Sequence, residues 1–315
     1  MQSVNRKKRV KICRMIEYIQ TIGVVGLGRM GTAIAHNILK SGFNLVVYDR
    51  TPDRTRSLVE AGAATATSPK QAAMRSDVLV TSLTDDRAVL DLVTGEEGIL
   101  SGLKPSTIHI GTSTISPSVS TQLGEMHSVR GCSYLAAPVL GNPSVAQVAK
   151  LTTFVAGDPM AIERCDQLFH AYCQKIIRVG KDHAVANGLK LAANYILLVL
   201  IDLMGQVFTV GEKSNIDLQV MSQMMEMIFS SPTLQEYANR IRIRDFDNVG
   251  YSLPLAFKDV QLILQSSSDV RAPLPYASGL RDKFLAAIAN KLETKDCITI
   301  YEITRMFAGL TKSSG

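Results

Sequence analysis

TIGVVGLGRMG, from Thr21 to Gly31, decides how the chain is read. It opens as a β-branched run, then carries Gly26, Gly28 and Gly31 in G-x-G-x-x-G spacing, and residues 30–41 continue with helical periodicity. A glycine triplet alone is weak evidence, and an ordinary glycine-rich turn is the bland alternative. Between a strand and a helix the spacing has a physical purpose. The first glycine permits the tight turn, the second lets a pyrophosphate approach the backbone, and the third lets helix pack on strand, while the helix N-terminus attracts the anion. Gly26, Leu27, Gly28, Arg29, Met30 and Gly31 therefore form the candidate dinucleotide-binding loop.

A second marker follows at the end of the next strand-like run, residues 44–48. Asp49 is a carboxylate placed to accept hydrogen bonds from an adenosine ribose and to repel a 2′-phosphate. Arg50 beside it can stack on adenine or pair with that same phosphate. The two residues disagree, and together they favour NAD(H) slightly over NADP(H).

Further strand-like runs at 77–83, 107–111, 134–138, 151–156 and 176–179 alternate with helical patterns, the mark of a parallel sheet wrapped by helices. Beyond about residue 182 nearly every segment is helical. The expected organisation is a basic extension over 1–19, an α/β doubly wound dinucleotide-binding domain over 20–182 and an all-helical domain over 183–315. The first helical segment, near 184–213, would be about 45 Å long. Its apolar density implies burial on several sides, either between the two domains or against a second subunit. Its longest apolar run, Leu191 to Ile201, is too short to span a bilayer.

Composition excludes several classes. With 46% hydrophobic and 20% charged residues the chain is a folded protein and not a disordered one. The net charge of +6 resides in Arg6, Lys7, Lys8, Arg9, Lys11 and Arg14; the remaining basic residues balance the acids, so the body offers no footprint for nucleic acid. The basic segment reads as a disordered extension or as sequence preceding a true start at Met15. The five cysteines include no C-x-x-C pair, which argues against a disulfide framework or a zinc site and for a reducing compartment, the cytoplasm. No metal site is expected.

Five motifs in order resemble the β-hydroxyacid dehydrogenase family: GVVGLGRMG at 23–31, TSTISP at 112–117, AAPVLG at 136–141, GLKLAAN at 188–194 and Lys258-Asp259. The resemblance spans nearly everything from Ile22 to Leu310. It implies an N-terminal Rossmann domain, an all-α C-terminal domain and a homodimer or homotetramer. By the same resemblance Lys190 is the general acid/base and Asn194, one turn later on the same helix face, orients the substrate carbonyl. The alternative for Lys190 is a surface lysine, but Leu189, Leu191, Ala192 and Ala193 surround it with apolar groups. Leu83, Thr84 and Thr114 would contact the cofactor, Ser113 the substrate, and Lys258 would close over the cofactor or substrate. Ser116-Pro117 also reads as a helix start. His183 and Tyr251 are given no role, and Met221, Met224, Met225 and Met227 read as core filler.

The chain departs from the family pattern at Pro138-Val139-Leu140-Gly141-Asn142, where a Pro-Val-Ser-Gly-Gly segment holds the substrate carboxylate. Leu140 removes a hydroxyl, so either Gly141 and Asn142 bind the carboxylate or the substrate is less polar there. Ala186 and Ala193 are smaller departures. The expected activity is hydride transfer between a nicotinamide and a small semialdehyde, glyoxylate or hydroxy acid. An imine or ketone reductase is the second reading, disfavoured by the lysine at 190, and a non-catalytic scaffold the third.

Overall fold

The computed structural model describes residues 19–310 in two compact units. The first comprises the described residues up to Ser113 together with Pro117–Asn187. The second comprises Thr114–Ser116 together with the described residues from Gly188. The basic segment, Cys13 and Met15 lie outside the described residues.

The first unit is a nine-stranded sheet. Its strands are β1 (Thr21–Val25), β2 (Asn44–Tyr48), β3 (Ala64–Thr65), β4 (Val78–Thr81), β5 (Ile108–Gly111), β6 (Ser133–Ala136), β7 (Val139–Leu140), β8 (Leu151–Ala156) and β9 (Cys173–Gly180). The order is β3-β2-β1-β4-β5-β6-β8-β7, with β9 on β8. Pairing is parallel from β3 through β6, then antiparallel onto β8. Buried Ile22, Val24, Val47, Val80 and Ile110 explain the continuous β-branched runs, because a parallel sheet is covered on both faces. The chain leaves β1 toward β2 and returns on the other side at β4, and the carboxyl ends beside that reversal are where doubly wound sheets bind ligands.

The second unit is helical: Leu218–Ile228, Pro232–Arg242, Leu253–Asp269, Pro275–Ala289 and Ile300–Phe307 pack around the body of His183–Lys213. Leu198, Ile201, Met204 and Phe208 of the long helix join Ile241, Val260, Phe284 and Tyr301 in its core. Met221 and Met225 are buried there, whereas Met224 and Met227 are exposed, so only half of that methionine group fills the core. Cys132, Cys165, Cys173 and Cys297 are buried and free.

The long helix is buried on one side only. Leu189, Ile196, Leu203 and Val210, seven residues apart, are all exposed. By length and composition this helix could cross a membrane: its most apolar window has a mean hydropathy of 1.8 and is 39% buried. The eleven-residue run between Lys190 and Asp202 underestimated it, because isolated charged residues barely lower a window average. Its packed face is that of a core helix. Its first turn is rooted in the sheet unit, where Ser120 Oγ donates to the His183 carbonyl, Asn187 Nδ2 donates to Ser120 Oγ, and His183 Nε2 bonds the Tyr134 carbonyl. The division between units accordingly falls inside the helix, after Asn187.

Beneath β4, β5 and β6 lies a buried imidazole chain. His127 Nδ1 bonds the Leu123 carbonyl (2.7 Å) and must carry the proton, so its Nε2 accepts from His109 Nδ1 (2.9 Å). His109 Nε2 then accepts from the Thr81 hydroxyl (2.9 Å). Tyr134 packs its ring on both histidines and on His183. Every nitrogen in the His109–His127 pair is used in the neutral form, and an added proton would break the chain.

Burial pushes the His127 imidazole down to about 4 and His109 well below its usual range, each histidine also opposing charge on its neighbours. Both folded values are depressed, so acid favours the unfolded chain. Stability should be flat above pH ~6.5 and fall as the pH drops from there toward the folded values, with a slope approaching two protons, roughly 3 kcal/mol per pH unit. Urea denaturation between neutral and mildly acidic pH measures this; a slope unchanged in His127→Gln would show that the pair is not its source.

Candidate active site

The three loop glycines meet three different constraints. Gly26 has φ +91°, and a Cβ there would sit 2.4 Å from the Ser82 carbonyl oxygen. At Gly31 a Cβ would lie 1.9 Å from the Gly26 carbonyl oxygen, where the Arg29–Lys40 helix abuts the turn. Gly28 faces open space with nothing within 4 Å of a Cβ, and it caps the helix without a side chain. Backbone is therefore bare where an anion would approach the helix N-terminus. Leu27 is buried, Arg29 exposed and Met30 half-buried.

Asp49, buried at the end of β2, turns toward this loop. Its Oδ2 accepts from the Leu27 amide (2.7 Å) and its Oδ1 from the Thr51 amide (2.9 Å). Two oxygens with one backbone donor each can still accept from ribose hydroxyls. Arg50 is exposed. Arg54, which sequence reasoning missed, places Nη1 3.6 Å from Asp49 Oδ1 and adds a second guanidinium beside the ribose position.

Leu83 and Ser113, from loops after β4 and β5, are brought together: the Leu83 amide donates to Ser113 Oγ (2.8 Å), leaving the serine proton to donate. Thr84 is exposed and donates to Asp85 Oδ2; Asp85 in turn caps Asp86–Thr94. The 138–142 segment has structural duties throughout. Leu140 pairs with Thr152 of β8, Gly141 has φ +132° and is crowded by Leu151, and Asn142 Oδ1 caps Pro143–Gln147 through the Val145 amide and also accepts from Ser144 Oγ. The Asn142 carbonyl oxygen is thus committed.

In the second unit Lys190, Asn194, Tyr251, Lys258 and Asp259 converge. Lys190 and Asn194 occupy the buried face of the long helix. Asp259 accepts at Oδ2 from Asn194 Nδ2 (2.7 Å) and, in a short contact, from the Tyr251 hydroxyl. Its Oδ1 lies 2.6 Å from Lys258 Nζ, an ionic contact without hydrogen-bond alignment, so that buried oxygen lacks an aligned donor among the described residues. Lys258 Nζ also donates to the Thr114 carbonyl (2.8 Å). The Lys190 ammonium has no hydrogen-bond or ion-pair partner among the described residues. Burial pushes it down from 10.5 to about 8, with Asp259 opposing the fall and Lys258 adding to it.

Sequence reasoning took Asp259 only as half of the Lys258-Asp259 motif, without a role in the site, and gave Tyr251 no role. The signal for Asp259 was an acid on the apolar face of Leu253–Asp269, among buried Ala256, Val260 and Ile263. Tyr251 was set aside because a lone tyrosine is more often packing or surface than chemistry. Among the described residues no group of three or more His, Cys, Asp or Glu could hold a metal ion.

Fold and loop define an α/β dinucleotide-binding protein. Residues 21–180 match the family model for the NAD-binding domain of 6-phosphogluconate dehydrogenase, and residues 185–304 that of the NAD-binding region of NADP-dependent 3-hydroxyisobutyrate dehydrogenase. An uncharacterized oxidoreductase of Bacillus subtilis, YfjR, is 36% identical over 85% of this chain and 93% of its own. Mitochondrial 3-hydroxyisobutyrate dehydrogenase of Mus musculus is 26% identical over 90% of this chain and 87% of its own. A solved 3-hydroxyisobutyrate dehydrogenase of Salmonella typhimurium superposes with a TM-score of 0.81 at 22% identity, covering 90% of this chain and 99% of that one. The chain belongs to the β-hydroxyacid dehydrogenase family. It is an NAD(P)-dependent oxidoreductase that moves hydride between a nicotinamide and a small carbonyl compound or hydroxy acid.

The glycines separate binding from folding. Gly28→Ala should leave the melting temperature essentially unchanged and weaken nucleotide binding by about tenfold or more, since a methyl enters only the open approach. Gly31→Ala should lose about 2 kcal/mol or more of stability through overpacking. Nucleotide titration and thermal melts of both variants measure this, and unaltered affinity in Gly28→Ala would remove the loop from the binding site.

Proposed function

We propose that Lys190 is the proton donor in carbonyl reduction and the proton acceptor in the reverse direction, with Asn194 orienting the substrate. The observation that carries this is the Lys190 ammonium, buried, without a hydrogen-bond or ion-pair partner among the described residues, one helical turn from Asn194 and poised at about 8. A group of that acidity can give up its proton at neutral pH as an alkoxide forms. When bound, the nicotinamide supplies or accepts the hydride. Asn194 Nδ2 is held by Asp259, so its Oδ1 is the atom left to meet a substrate hydroxyl.

Gly26 to Gly31 would hold the pyrophosphate and Asp49 the ribose, with Leu83, Thr84, Thr114 and Lys258 toward the nicotinamide end. Ser113, Gly141 and Asn142 would face the substrate, Asn142 through its amide nitrogen. Asp49 favours NADH; Arg50 and Arg54 keep NADPH in contention. The substrate class is a semialdehyde or glyoxylate. Leu140 supports a second reading, a less polar carbonyl or cyclic imine. The cofactor domain spans 20–182 and the substrate and dimerisation domain 183–315, in a cytoplasmic homodimer or homotetramer. The heptad-spaced apolar stripe at Leu189, Ile196, Leu203 and Val210 supports self-association, since that spacing keeps one seam facing a partner helix.

Following nicotinamide absorbance with NADH or NADPH and a panel of glyoxylate, succinic semialdehyde, tartronate semialdehyde and a cyclic imine identifies substrate and cofactor. Lys190→Ala should lose about 10²–10⁴-fold in kcat while cofactor affinity is retained. Full turnover in that variant would sink the assignment, and turnover of the imine alone would promote the second reading.

Leu203→Glu combined with Val210→Glu should convert the oligomer to monomers by light scattering, with circular dichroism unchanged. An unaltered mass would place the interface elsewhere.

A further inference from the structure

Asp259 carries the only formal negative charge in the cluster that surrounds Lys190 among the described residues, and two neutral donors share one of its oxygens. Asn194 Nδ2 and the Tyr251 hydroxyl both point at Oδ2, while Oδ1 has only the misaligned Lys258 contact. Tyr251 is aimed there by its backbone. The amides of Gly250 and Tyr251 donate to Asp296 Oδ2 (2.8 and 2.9 Å), and the Cys297 amide donates to the Tyr251 carbonyl (2.8 Å). Asp296 is itself fully buried and 3.5 Å from Arg240 Nη2. The backbone that carries the phenol is therefore tied to a buried ion pair. The other titratable groups around it are Tyr237 and Cys297, both neutral and both held protonated by burial.

We infer that Tyr251 is a positioning residue whose hydroxyl, through Asp259, sets how firmly Lys190 holds its proton. This rests on the reading of Lys190 as the acid. A carboxylate that accepts a phenol proton has part of its charge drawn onto that bond, so it attracts a nearby ammonium less. The effect reaches Lys190 through the charge of Asp259, which favours the ammonium and, among the described residues, meets no aligned donor at Oδ1. Two opposing cations frame the arrangement: Lys258, anchored on the Thr114 carbonyl, discourages charge on Lys190, and Asp259 encourages it. The Tyr251 bond adjusts that balance without adding charge.

The pH profile of carbonyl reduction reads the effect. Protonated Lys190 is the active form, so kcat/KM falls on the alkaline side as it loses its proton. Tyr251→Phe frees Asp259 to bind the ammonium more strongly, and the alkaline limb should move up by about half to one pH unit. Asp259→Asn removes the charge and should move the limb down. Opposite displacements, with the fold retained by circular dichroism and kcat altered more than KM, are not what lost packing would give. Lys190→Arg, which stays charged across the range, should abolish the limb. A limb that survives in Lys190→Arg overturns the underlying reading of Lys190. A limb that is abolished there, and that stays in place or moves down in Tyr251→Phe, overturns the role of Tyr251 alone.

Discussion

A carboxylate that is 3% exposed must be compensated where it sits, and the buried charge of Asp259 is the constraint that orders the polar groups of the helical unit. Its partners come from three places in the chain: Asn194 from the long helix, Tyr251 from the turn before Leu253–Asp269, and Lys258 from the adjacent position. A second buried carboxylate, Asp296, collects the amides of Gly250, Tyr251 and Ile298 and faces Arg240. One buried acid thus holds the residue that the other needs. The apolar core around them, from Leu198 to Phe284, excludes the water that would otherwise screen these charges.

The cofactor end of the chain was legible in sequence because its constraints are local. Gly26 and Gly31 lie within one turn of each other; the clash that forbids a side chain at Gly31 arises inside that turn, and the positive φ that demands glycine at Gly26 is local too, although the atoms crowding Gly26 belong to Ser82 and Leu83. Asp49 was visible because a strand end and a fixed spacing place it. Strand runs were readable wherever a covered parallel strand demands unbroken β-branched residues. The two-residue strands β3 and β7 are too short to carry a pattern, and Arg54 was hidden because a turn of 3₁₀ helix at Pro52–Thr55 brings it back toward Asp49.

What the sequence concealed depends on long-range registration. The imidazole chain joins Thr81, His109 and His127 from β4, β5 and the helix Pro117–Val129, and no spacing along the chain announces it. Tyr251 is equally silent, since its role follows from a backbone clamp forty-five residues away in sequence. The long helix was half legible. Its polar buried positions, Asn187, Lys190 and Asn194, continue along one face into Leu198 and Ile201, and a polar group on an apolar face stands out. Its opposite face is apolar as well, so composition suggested burial on several sides, and in the single chain a stripe of that face is open.

The departure from the family pattern at residues 138–142 acquires a folding explanation from the same reasoning. Leu140 is half of a two-residue strand registered against Thr152, Gly141 occupies a positive-φ conformation with Leu151 packed where a side chain would be, and Asn142 spends its carbonyl oxygen capping the next helix. Three successive residues are therefore fixed by the sheet and the helix before any ligand is considered. What remains of this segment to donate hydrogen bonds is its backbone amides and the Asn142 amide nitrogen. Leu140 therefore marks a position where the fold, and not only a ligand, constrains the choice of residue, because a strand partner and a buried neighbour act on it and on the glycine beside it.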